Sequence, residues 1–186
     1  MFGFGAKKPL VDVRAMLADA ARDIGDEDLA QQALHFFDDP DAYLAWDQHS
    51  TGEPLWVGDR YKPTPAEVAA DILRELLIAD RRAVIIDWAE GAEGILDDID
   101  LLFDRAGKPR IDMARRASLV SQLADAERGK AFGKLMDPIE GDAAERGLAI
   151  HWWDTESDSY LPVLLTPEAR KRWEGVSFGR NFPVLR

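Results

Sequence analysis

The sequence contains no cysteine among its 186 residues. Disulfide bonds, zinc sites with thiolate ligands and cysteine nucleophiles are therefore excluded. Long apolar runs are also absent, since AVII from Ala83 and LPVLL from Leu161 are among the longest. A membrane-spanning helix needs about 20 apolar residues, so we expect no membrane segment. The N-terminal MFGFGAKKPLVDV lacks the apolar stretch of a signal peptide, and a cytoplasmic location is favoured.

Positive charge is scarce relative to negative charge. The chain has 23 lysines and arginines against 35 aspartates and glutamates, which gives a net charge of -12. Phosphate contacts depend on lysine and arginine, so we expect no general affinity for nucleic acid. A protein partner, and a basic one in particular, suits this surface better. We interpret two local basic stretches, over residues 105–116 and 170–172, as solvated helix faces and ends.

Complete catalytic constellations are missing as well, and we expect no catalytic residue. Gly175 to Gly179 matches the G-x-S-x-G string of a hydrolase, but a helix precedes it and the last histidine, His151, lies upstream. The three histidines show no metal-ligand spacing. Asp97, Asp100 and Asp104 fall opposite the apolar face of a predicted helix, so we interpret them as a solvated acidic face.

Helical spacing of apolar residues dominates the first two thirds of the chain. The clearest helix start is Thr64-Pro65-Ala66-Glu67, a capping box with proline in the first turn. The run AVIIDW predicts a buried strand that ends near Trp88. The predicted helices cover Leu10–Ile24, Glu27–Phe37, Pro40–Trp46, Thr64–Ala79, Ala92–Ala106, Ile111–Glu127 and Ala131–Met136, with a fresh start at Asp137 that runs to Gly147.

The C-terminal part predicts a β-hairpin. Leu148 to Trp153 and Tyr160 to Leu165 alternate as strands do, and their connection has no glycine, which favours a four- or five-residue loop. The fold class is therefore α+β: a helix-rich N-terminal half packed with a small, mostly antiparallel sheet that includes this hairpin. We expect one domain over residues 1–186, with a flexible start at residues 1–9, a long loop at residues 49–63 and an edge strand near the C-terminus.

Two adjacent tryptophans, Trp152 and Trp153, lie in the first hairpin strand. Side chains alternate along a strand, so the two rings must point to opposite sides of the sheet. Either both sides are covered, or one ring is accessible to a partner.

The hairpin connection carries carboxylates at Asp154, Glu156 and Asp158, as the start of a calcium loop does. An EF-hand would require glycine at Ser159 and an acid at Leu165, so we reject that motif. An ordinary polar turn explains the segment, because aspartate and serine side chains stabilise turns.

A functional reading depends on Asp87, which ends the AVIIDW strand. If the two strand ends lie together, its carboxylate would approach Asp154 or His151, and clustered carboxylates bind cations or raise one another's pKa. Asp87, Asp154 and Asp158 are then the candidate metal ligands. The complete candidate binding site comprises Asp87, Trp88, His151, Trp153, Asp154, Glu156, Asp158 and Tyr160.

The IIDW segment at Ile85 to Trp88, the helix after it, and DTESDSY at Asp154 to Tyr160 followed by an apolar strand resemble an uncharacterised bacterial family, domain of unknown function 6630. The likeness covers chiefly Ala83 to Leu165. Members of that family have lysine after the D-W pair, where this chain has Ala89. The resemblance implies an architecture and two places for a site, and it implies no mechanism.

Our leading hypothesis is a non-enzymatic, cytoplasmic protein that binds a protein partner through its acidic surface and exposed aromatic residues, in a regulatory or immunity-like role. It needs no cofactor. The alternative is a calcium- or magnesium-dependent hydrolase or cation-binding protein that uses Asp87, Asp154 and Asp158, with His151 nearby. A third idea is mimicry of nucleic acid by the acidic faces.

Overall fold

The computed structural model describes residues 12–50, 63–124, 126, 129–154 and 159–174, without the side chains of residues 47–50 and 154. The predicted flexible start, most of the predicted loop and the predicted C-terminal edge strand lie outside these ranges. The loop prediction is wrong at its first residues, because His49 and Ser50 belong to a helix.

Eight helices occur in the part of the chain that the structure describes. The predicted capping box is confirmed: the Thr64 side chain accepts from the Glu67 N–H, and the Glu67 carboxylate accepts from the Thr64 N–H at 2.7 Å. The Thr166 side chain caps the last described helix by accepting a hydrogen bond from the Ala169 N–H. The helices are α1 (Val13–Ile24), α2 (Glu27–Asp38), α3 (Pro40–Ser50), α4 (Pro65–Ala79), α5 (Ala92–Arg105), α6 (Met113–Gln122), α7 (Ala131–Glu145) and α8 (Pro167–Trp173).

Three antiparallel strands form a small sheet in the order β1-β3-β2. They are β1 (Ile86–Asp87), β2 (Ala149–Asp154) and β3 (Ser159–Leu165). The α+β class, the helix-rich N-terminal half and the C-terminal hairpin are therefore confirmed. Residues 155–158 separate β2 from β3.

Helices cover both faces of this sheet. Trp153, Leu161 and Val163 point into a core formed with α1, α2 and α4. Ile150 and Trp152 point into a second core, formed with α5 and α7. Both tryptophans are therefore buried, so neither ring of the pair supplies the exposed aromatic surface of our leading hypothesis.

The prediction of a buried strand at AVIIDW is wrong. Only Ile86 and Asp87 pair as a strand, at the edge of the sheet, and Ile85 is 56% exposed. Pairing with β3 stops between the Ile86–Tyr160 pair and an isolated bridge from Ala83 to Val163. Pro162 lies in this gap, and proline has no N–H with which to continue the ladder.

Two predicted helix boundaries are also wrong. The helix predicted over Ile111–Glu127 spans only Met113–Gln122, because the Asp112 carboxylate accepts from the N–H groups of Ala114 and Arg115 and starts the helix there. The predicted fresh start at Asp137 does not exist, because α7 continues through Pro138. Its apolar face is buried on both sides of the proline, which offsets a loss of about 3 kcal/mol from proline in a helix.

The acidic side of α5 is not the solvated face that we predicted. Asp100 is buried, and it accepts from the Ile111 N–H at 2.8 Å and from Arg116 Nη1 at 3.0 Å. Arg116 also donates to Asp97 at 2.5 Å, and Arg110 pairs with Asp104. The basic stretch over residues 105–116 is therefore not a freely solvated face either, because its residues Arg110 and Arg116 bind acids of α5.

A second buried carboxylate, Asp142 on α7, has poorer partners. Its Oδ2 atom accepts no hydrogen bond, and Arg115 Nε lies 3.7 Å away. Burial raises the pKa of Asp142, and the charges of Arg115 and Arg146 oppose that increase. The ionised Asp142 side chain therefore stabilises the folded state less than the Asp100 side chain does.

These two aspartates give a matched test of stability. Asp100→Asn should lower the free energy of unfolding by about 2 kcal/mol, because a buried charge-assisted hydrogen bond to Arg116 is lost. Asp142→Asn should change it little, because the lost charge had no hydrogen bond at Oδ2. Urea unfolding at pH 7 measures both values, and equal losses would contradict this assignment.

Candidate functional site

The backbone of Asp87 and the backbone of Asp154 lie on opposite sides of β3. Asp87 pairs with Ser159, whereas Asp154 pairs with Tyr160, and β3 lies between their strands. Two strand spacings amount to about 10 Å. Glu156 and Asp158 lie outside the described residues. Within the described ranges, no three histidine, aspartate or glutamate side chains are placed to hold a metal ion.

The remaining candidates lie on different faces of the sheet. Trp153 is buried in the core beside α1, and His151 points to the same face, 6.4 Å from it between ring centroids. Tyr160 points to the opposite face and stacks on Phe132, with ring centroids 3.7 Å apart and an interplanar angle of 6°. Of the described candidates, Asp87 and Trp88 thus lie at the β1 edge and His151 lies on β2 at the other edge, whereas Trp153 is buried and Tyr160 lies on the middle strand.

The first region, which we call the acidic end, consists of Asp87, Trp88, Glu90 and Asp98. Asp87 leaves β1 in a tight turn, in which its carboxylate accepts from Ala89 N–H at 2.6 Å and its carbonyl accepts from Glu90 N–H at 3.0 Å. The Glu90 carboxylate then lies against the first turn of α5. It is so close to Gly94 that a β-carbon at that position would overlap the carboxylate.

The carboxylates of the acidic end have no positive partner in the described part of the chain. Burial, together with the negative charges of Glu90 and Asp97, raises the pKa of Asp98 to about 6. None of Asp87, Glu90 and Asp98 forms an ion pair with a described residue. A positive group bound here would reduce the electrostatic repulsion among these carboxylates.

Trp88 gives the acidic end an aromatic surface. Its side chain is 39% exposed, and its ring lies close to Gly129. Gly129 has a φ of +80°, and a β-carbon there would collide with the ring. From the sequence we predicted Asp87 and Trp88 as site residues, but not Glu90 and Asp98. The Glu90-Gly91 pair directly after a strand end was an available signal for a turn.

The second region is a cleft that runs along β2 between α7 and α8, which we call the sheet-edge groove. Its volume is about 710 Å³. Glu140 on α7 accepts from Trp152 Nε1 at 3.2 Å and lies 3.6 Å from Arg170 Nη2 on α8. The groove is lined by Glu140, Gly141, Ala144, Leu148, Ala149, Ile150, His151, Pro167, Arg170, Lys171 and Glu174.

Among the predicted site residues whose side chains the structure describes, His151 alone lines this groove. Burial, together with the nearby charge of Arg170, lowers the pKa of its imidazole from 6.5 to about 4. The ring is therefore neutral at physiological pH. We did not predict Glu140 and Arg170 as site residues. Their helices, α7 and α8, are separated in the sequence by the whole hairpin, and no local pattern indicates that both helices flank β2.

The imidazole of His151 gives a pH test of the fold. Its pKa in the folded protein is depressed, so the unfolded chain binds a proton that the folded chain excludes between about pH 6.5 and pH 4. Stability should therefore be complete above that range and fall by an amount on the order of 3 kcal/mol as the pH drops through it. His151→Gln should reduce that fall in a series of urea unfolding curves.

The exposed His35 on α2 is the matched control for this experiment. His35→Gln should leave the pH profile of stability close to that of the wild type. A profile that changes equally in both variants would rule out burial of His151 as its cause.

Three comparisons bear on the identity of the chain. No curated protein and no solved structure matches it. None of the described helices is both long and apolar enough to cross a membrane. A family model described as a domain of unknown function, DUF6630, matches residues 13–183 and thus includes both edges of the sheet. The chain therefore belongs to the DUF6630 family, as the IIDW and DTESDSY segments indicated.

Proposed function

We propose that this protein is a non-enzymatic interaction module that binds a basic segment of a protein partner at the acidic end. One observation carries the proposal: the carboxylates of Asp87, Glu90 and Asp98 are unpaired among the described residues, and the pKa of Asp98 is raised to about 6. A carboxylate with a raised pKa, as at Asp98, is a feature that concentrates at functional sites. The absence of cysteine fits a cytoplasmic setting, in which a regulatory or immunity-like role would operate.

Arginine or lysine in the partner fits both parts of the acidic end. Its charge would lie near Glu90 and Asp98 and lower the pKa of Asp98, and its side chain would lie near the exposed part of Trp88. A cation over an indole ring contributes roughly 0.5–1 kcal/mol at an exposed site. Exposed ion pairs contribute a similar amount each, so the affinity would come from several contacts together.

The distribution of arginine supports this assignment. Elsewhere in the described chain, arginines pair with the protein's own acids and hold its helices together. These pairs include Arg14–Asp38, Arg22–Glu27, Arg74–Asp71, Arg82–Asp26, Arg105–Asp80, Arg110–Asp104, Arg116–Asp97 and Arg172–Asp23. The negative charge of the acidic end is not offset in this way, and the net charge of -12 adds attraction at longer range.

Binding of fluorescein-labelled hexa-arginine tests the proposal. Affinity measured by fluorescence anisotropy should fall between pH 7.5 and pH 5, because Asp98 takes up a proton as the pH passes through about 6. Asp98→Asn should weaken binding about threefold at pH 7.5, the loss of one partly exposed ion pair. It should also remove most of the difference between the two pH values.

Asp41→Asn is the control, because Asp41 is an exposed acid in the first turn of α3 and the change in net charge is the same. It should leave the pH dependence intact. Charge reversal at Glu156 and Asp158 extends the test to the hairpin connection. Binding that does not depend on salt, or that responds equally to Asp41→Asn and Asp98→Asn, would disprove the proposal.

A further inference from the structure

Among the described strands, β2 has a neighbour on one side only. In the sheet order β1-β3-β2 it pairs with β3, and no other described strand lies beyond it. An edge strand presents unpaired N–H and C=O groups, to which an extended chain can add by hydrogen bonding. The sheet-edge groove runs along this free side of β2.

The pairing pattern indicates which backbone groups of β2 face the groove. Ala83 pairs with Val163, yet the Ala83 N–H donates to the Leu77 carbonyl at 3.1 Å. Ala83 and Val163 are thus a non-hydrogen-bonded pair, and the N–H and C=O of Val163 point to β2. Because directions alternate along antiparallel strands, the N–H and C=O of Ile150 and Trp152 point away from β3. No described residue forms a hydrogen bond with these outward groups.

The walls of the groove leave room for a chain beside β2. On α7, Gly141 and Ala144 lie one helical turn apart and face the groove, and both are exposed. A β-carbon at Gly141 would meet no atom within 4 Å. Leu148, Ala149 and Pro167 add apolar surface, which suits an apolar side chain of an incoming strand.

The α8 wall carries positive charge in an otherwise acidic protein. Arg170 Nη2 lies 3.6 Å from Glu140, beyond hydrogen-bonding distance, whereas most other arginines of the described chain contact carboxylates at 3.0 Å or less. Lys171 is exposed and forms no ion pair with a described residue. The Glu140 carboxylate is already held by the Trp152 indole. The charge of this wall thus complements a carboxylate.

We propose that the sheet-edge groove binds an extended peptide segment of another protein, which pairs with the outward backbone groups of Ile150 and Trp152. One side chain of the segment is apolar and fills the space beside Gly141 and Ala144. A carboxylate, from an acidic side chain or the end of the chain, binds Arg170 and Lys171. The site lies at the β2 edge and is independent of the acidic end, which lies at the β1 edge.

A labelled five-residue peptide of alternating valine and glutamate, with both ends blocked, is the probe. The full chain should bind it, with amide NMR shifts concentrated at residues 141–152 and 167–171. N-methylation of alternate peptide bonds should weaken binding at least tenfold, about 1.4 kcal/mol, because the methyl groups block strand pairing. Replacement of glutamate by lysine in the peptide, or Arg170→Gln in the protein, should also weaken it.

Gly141→Leu and Gly133→Leu form a matched pair. Both glycines are exposed on α7 with open space around the missing side chain, but only Gly141 lines the groove. Both variants should fold and gain up to about 1 kcal/mol of helix stability. Only Gly141→Leu should block the peptide.

Three outcomes would overturn the proposal. Equal binding of the N-methylated peptide would exclude strand pairing with β2. Complete competition by millimolar propionate would indicate a site for small carboxylates only. Binding that requires deletion of residues 175–186 would show that the groove belongs to the chain's own C-terminal segment. Loss of hexa-arginine binding has no bearing on this test, so the two proposals fail separately.

Discussion

The backbone pairing of β3 with both of its neighbours is the interaction on which the rest of the structure depends. β3 is the middle strand, contacted by α1 from one face and by α5 from the other. Leu161 and Val163 point into the first core, and Leu164 packs against the second. Because a strand alternates its side chains, the seven residues of β3 contact both helical layers, and the sheet has three strands in the part of the chain that the structure describes.

A sheet this narrow has two edges close to its centre, and those edges have opposite chemical character. At the β1 edge, Asp87 and Glu90 lie in a turn without a positive partner among the described residues. At the β2 edge, Arg170 lies beside a strand whose outward backbone groups have no described partner. The faces are closed by helices, so both proposed binding surfaces lie where the sheet ends.

The sequence predicted the features that depend on neighbouring residues. The Thr64 capping box, the hairpin and the opposite orientation of Trp152 and Trp153 all follow from local spacing. Three of the failures involve residues distant in the chain: Pro162 interrupts the pairing of β1, buried packing maintains α7 through Pro138, and Arg116 pairs with Asp100 in the interior. The start of α6 at the Asp112 cap is a local feature that the spacing of apolar residues did not indicate. The two candidate regions were found only in part, because Asp98 and Arg170 gain their neighbours through the tertiary fold.

Asp98 and His151 share a physical property that links stability to the two proposed surfaces. Burial disfavours the charged form of each, which raises the pKa of Asp98 to about 6 and lowers the pKa of His151 to about 4. Neither side chain lies in the centre of a core: Asp98 belongs to the acidic end, and His151 lines the sheet-edge groove.

Burial removes water from the charged form of each side chain, which lowers stability. An apolar or amide side chain would not lose stability in this way, so selection for stability alone would favour one at either position. Retained polar groups of this kind are expected where a surface must recognise a charged or hydrogen-bonding partner. Asp98 belongs to the region at one edge of the sheet, and His151 belongs to the region at the other edge. Partners bound at the two edges would therefore lie on opposite sides of the middle strand, β3.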